Sequence, residues 1–132
     1  MTTTSHSKEF MKARRMKASE LRLNNYVLED GQVVLLSTNY DLFKCLVNVD
    51  RGIGFEPILL TEEWLLKFGF IYHESIKHWV KNWGINGAEF IKFDEYYNLF
   101  SFQLGKDNYK VIDIGVHQLQ NLWFVLTGEE II

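Results

Sequence analysis

Short apolar runs separated by turn dipeptides fill most of the chain, a pattern that reads as antiparallel hairpins with two helices laid on them. Residues 26–29 and 32–37 flank Asp30-Gly31, the pair a type I′ turn requires because both positions need φ > 0. Residues 42–49, LFKCLVNV, read as a third strand. Residues 53–58 hold the only proline, Pro57, which removes a ladder donor and so marks an edge or a strand end. Strands of this kind predict a small curled sheet of the SH3 type in the first part. LTEEWLLKFGF then reads as a complete short helix over about residues 62–69. Thr61 is its N-cap, Glu62 and Glu63 suit the positive end of the dipole, and Gly69 ends it. Trp64, Leu65 and Phe68 share its apolar face.

A second β region follows. Residues 77–85 and 88–93 flank Asn86-Gly87, and residues 97–104 and 109–114 flank a turn over 105–108. On the strand HWVKNWGI, Trp79, Lys81, Trp83 and Ile85 fall on one face and His78, Val80 and Asn82 on the other. The chain closes on an amphipathic helix over about 116–127, with Asp113 as its expected cap. Val116, Leu119, Leu122, Trp123 and Leu126 make its apolar stripe, predicting a lid over the sheet. His117, Gln120 and Asn121 lie opposite, with Phe124 among them. The fold class is therefore α+β: one domain over 16–132, built from antiparallel hairpins with two short helices packed on the sheet.

Composition changes this picture little, except in its aromatics. At 132 residues and 47% hydrophobic the chain suits one ordinary globular domain. Twelve aromatic residues fall between Trp64 and Phe102, more than one small core requires. They read as strand content or as an outward surface for a partner, and the strip of Trp79 and Trp83 is the candidate for the latter. Cys45 is the only cysteine, so no disulfide forms within one chain; it reads as a buried thiol in a reducing cytosol. No apolar stretch reaches the roughly 20 residues of a membrane span.

Charge is split unevenly. Residues 1–19 carry a net +4 and the remaining residues −7. Residues 1–15 read as a disordered basic tail, or as an extension ahead of an alternative start at Met11 or Met16. Lys12, Arg14, Arg15 and Lys17 make this arm a candidate for gripping RNA or DNA, with Trp79 and Trp83 as stacking rings. The acidic body repels phosphate and attracts a basic surface instead.

Catalytic and metal-binding patterns are weak. HESIKH has one residue too many for HExxH, and His73 and His78, five apart, are expected on opposite faces of a strand. Cys45 has no histidine near it in sequence, and Gly52 and Gly54 lack the strand–helix setting of a phosphate loop. The reading is therefore a non-enzyme with no cofactor and no metal, acting by surface contact. On the closing helix, His117, Asn121 and Phe124 are the candidate partner edge.

Three blocks, MKASELRLNNYVLEDG, PILLTEEWLLKFGF and VHQLQNLWFVLTGEE, resemble small proteins carried by phages and prophages of Bacteroidetes bacteria. That group shows MKxxELRxGNxV, LTEEWLLKFGF and VHQLQNLYFALTGEEL in the same order. Here Asn24 stands where the group has Gly, and Trp123 and Val125 replace Tyr and Ala. The chain also resembles inhibitors of RNA-guided type VI CRISPR effectors. The resemblance implies an anti-CRISPR role: a cytoplasmic protein in a bacterial host that binds a defence ribonucleoprotein and disables it. It carries over no catalytic residue.

Overall fold

Asp30 and Gly31 take φ values of 49° and 82°, so the first turn forms as its dipeptide requires. It joins β1 (Tyr26–Glu29) to β2 (Gln32–Leu35), paired in the register Tyr26↔Leu35 through Glu29↔Gln32. β3 (Phe55–Glu56) pairs on the other side of β1, giving the order β2-β1-β3. It is a two-residue edge strand that stops just before Pro57, as the missing proline N–H dictates. The computed structural model describes residues 16–84, 89–97, 99–104, 107–109 and 114–132, the segments 99–104 and 107–109 by their backbone alone.

The strand expected over 42–49 is instead a helix, α1 (Asn39–Val49). Thr38 caps it, its Oγ1 accepting from the Asp41 N–H at 3.1 Å. α1 stands where the third strand of the expected curled sheet was placed and packs its inner face, Cys45 and Val49, into a core with Met16, Leu21, Val27, Leu36 and Phe55. Residues 42–49 are apolar except at Lys44 and Asn48, and so short an apolar run is not told from a buried strand by periodicity alone. Met16 is 3% exposed in this core; the tail expected over residues 1–15 lies outside the described residues.

The chain divides into two compact units: Leu60–Ile114, and the flanking residues 16–59 with Gly115–Ile132. The first holds the second expected helix, α2 (Glu62–Lys67), capped by Thr61 and ended by Gly69 at φ 87°. It also holds a five-stranded antiparallel sheet, β4 (Ile71–His73), β5 (His78–Trp83), β6 (Glu89–Asp94), β7 (Leu99–Leu104) and β8 (Asp107–Tyr109), in that order. β4 is an extra strand. It pairs His73 directly with His78, so the two histidines share a face rather than opposing each other. The Asn86-Gly87 turn and Asp113 lie outside the described residues. α3 (Val116–Thr127) closes the second unit, starting at Gly115 and ending at Gly128, φ 78°. Antiparallel sheets with short helices give the α+β class expected from the pattern.

Candidate partner-binding surface

The closing helix does not present the edge that its polar residues suggested. Burial on α3 runs through Val116, Leu119 and Trp123, as expected, but also through His117 at 1% and Gln120 at 0% exposure. Leu122 and Leu126, expected in the stripe, are only half-buried. The helix is rotated toward its amides because they are fully used. Gln120 Nε2 donates to the Asn24 carbonyl at 2.7 Å and to the Ile131 carbonyl at 3.0 Å. Its Oε1 accepts from the Tyr26 N–H at 2.9 Å and from Asn25 Nδ2 at 3.3 Å. A buried amide with every position engaged costs little, whereas one left open costs the full desolvation penalty.

Asn121 and Arg22 extend the network. Asn121 Nδ2 donates to the Glu20 carbonyl at 2.6 Å, and its Oδ1 accepts from Asn25 Nδ2 at 2.9 Å and Arg22 Nη1 at 3.1 Å. Arg22 Nη2 pairs with Glu130 at 2.7 Å, while its guanidinium lies 4.1 Å from the centre of the Phe124 ring. His117 Nε2 sits 3.1 Å from Glu20 Oε1, and its Nδ1 is buried with no hydrogen-bond partner among the described residues. Of the expected partner edge, then, His117 is interior, Asn121 is bound up internally, and Phe124 keeps 36% exposure under an arginine. Asn24 takes φ 72°, a left-handed conformation that glycine favours and asparagine tolerates. Either residue therefore fits that turn.

The tryptophan strip is also corrected. Trp79 is 6% exposed and stands between its cross-strand partners Tyr72 and Phe93, 5.2 Å from the Tyr72 ring. Phe93 in turn meets Phe70 edge-on at 5.4 Å. Trp79 is core. Trp83 is half-buried, and the Lys81 ammonium lies against Gly69, close enough that a Cβ there would stand 2.7 Å from it. Of the basic arm, Lys17 is exposed, and Lys12, Arg14 and Arg15 lie outside the described residues.

The surface that sequence reading missed is the outer face of α1. Tyr40 is 73% exposed, Phe43 63% and Val47 47%, spaced i, i+3 and i+7 along one stripe. The cap could have revealed it: Thr38 followed three residues later by Asp41 is a helix-start signal, and a helical projection of 39–49 separates this stripe from the buried one. Beside it, Lys44 pairs with Glu29 at 2.9 Å, and the carboxylate's hydrogen bond and charge hold its ammonium above the usual lysine range.

On the inner face of the same helix, burial first and the Glu29 charge second push the Cys45 thiol up to about 11. The thiol should resist alkylation at pH 8 in the native protein and react once urea unfolds it. Because unfolding frees a thiol that ionises near 9, stability should fall as pH rises from about 9 toward 11. Thiol titration against pH reads both effects; rapid native labelling at pH 8 would contradict the burial.

Among the described residues, no group of three or more His, Cys, Asp or Glu gathers to hold a metal, and no helix is long and apolar enough to cross a membrane. No protein-family model, curated protein or solved structure matches the chain.

Proposed function

We propose that this is a non-enzymatic phage or prophage protein that acts in the host cytoplasm by binding a defence protein, an RNA-guided type VI nuclease, and blocking it. The observation that carries the contact reading is α1. A small protein gains nothing in its own folding by holding Tyr40 and Phe43 in water, whereas rings of this kind anchor interfaces. The target class rests on the resemblance of the three sequence blocks. The acidic balance supports it, since a basic guide-RNA surface attracts an acidic protein. The alternative, an RNA- or single-stranded-DNA-binding module, loses its principal ring, because Trp79 is interior.

The test is cleavage of a reporter RNA by purified, guide-loaded type VI effector with increasing amounts of the full chain. Cleavage should fall and approach zero near stoichiometric ratios. Undiminished cleavage in large excess would overturn the proposed target.

A further inference from the structure

The geometry points to the receptor for α1: an apolar groove on a folded partner protein, rimmed by lysine or arginine. This rests on the contact reading above and specifies the partner's surface. Anchors at i, i+3 and i+7 are the pattern a groove reads from a helix. Tyr40, Phe43 and Val47 form an exposed ridge along the outer side of one helix, and the side of a helix is buried most fully by a groove. The helix is already formed, because Cys45 and Val49 on its inner face are 0% and 2% exposed. Binding therefore carries little ordering cost.

Charge sets the rim. Residues 16–59 with 115–132 contain four basic and eight acidic side chains, a net −4. At the ridge itself, Lys44 is neutralised by Glu29, and Asp41 stands next to Tyr40. A basic rim complements this surface, while an anionic membrane or a phosphate backbone is repelled. A second copy of this chain is disfavoured on two counts. It brings the same net −4, and it offers the same exposed helix face rather than a groove to receive it.

The experiment replaces Phe43 in the full chain with p-benzoylphenylalanine in the host cell, with Val125, 77% exposed on α3, as the control position. Irradiation should join position 43 to one host protein, and peptide mapping should place the joint in an apolar groove flanked by Lys or Arg. With that protein purified, Phe43→Ala should weaken binding about tenfold or more. Asp41→Lys and added salt should each weaken it further, with native circular dichroism throughout. Crosslinking to a second copy, equal yield from position 125, no crosslink at 43, or unchanged affinity of Phe43→Ala would each overturn the assignment. The two readings fail separately. A mapped groove on a protein that is not an RNA-guided nuclease removes the proposed target and keeps the groove. A nuclease inhibited equally by the Phe43→Ala variant removes the groove and keeps the target.

Discussion

Gln120→Leu should lower stability by about 4 kcal/mol, near the top of the range for single substitutions. Leucine nearly matches glutamine in volume, so the change creates no cavity and isolates the hydrogen bonds. It strands the Tyr26 N–H, the Asn24 and Ile131 carbonyls and one Asn25 donor. Each buried group left open costs about 1–3 kcal/mol, partly relieved where water can enter. The Ile131 carbonyl is the nearest to the chain's end, and Ile131 is itself 6% exposed, so the last residues should detach first. Urea titration with an unchanged slope is the measurement. A loss below about 1 kcal/mol would mean that the apolar neighbours, not the amides, hold α3 in place. Asn121 shares the Asn25 amide with Gln120, so the double variant with Asn121→Ala should be less than additive.

Trp79→Ala should cost about 3–5 kcal/mol and leave partner binding unchanged wherever the variant remains folded. The ring sits in a cross-strand row with Tyr72 and Phe93, and removing it empties space that two fully committed neighbours cannot refill. Phe43→Ala is the mirror case. Its side chain is 63% exposed, so stability should shift by no more than about 0.5 kcal/mol while binding weakens about tenfold or more. Measured side by side, by thermal unfolding and by affinity, the pair separates an aromatic that builds the protein from one that serves a partner. Loss of binding by folded Trp79→Ala would return the strip to the interface.

The same distinction reinterprets the sequence blocks. Glu20, Arg22 and Asn25 come from the first block and His117, Gln120, Asn121 and Glu130 from the last, and these residues bond to one another. Letters that resembled a phage family at both ends of the chain are thus the two halves of one internal network. They describe how the second unit is closed. Tyr40, Phe43 and Val47 lie outside all three blocks.

Local chemistry was legible wherever a residue's own backbone needs decided the outcome. Asp30-Gly31 dictated its turn, Thr61 and Gly69 bounded α2, and Pro57 stopped β3, because each acts within a few residues of itself. Periodicity failed where a short apolar run fits a strand as well as a helix, as in α1, and where polar residues are buried in compensated pairs, as on α3. Whether Gln120 faces solvent depends on acceptors roughly a hundred residues away in the chain, at Asn24, and no local pattern records their approach. The sequence alone determined the first hairpin, the bounds of α2 and the α+β class. The tertiary structure decided which rings and amides are interior and that the outer face of α1 is not, because burial is set by what packs against a side chain rather than by the side chain's own polarity.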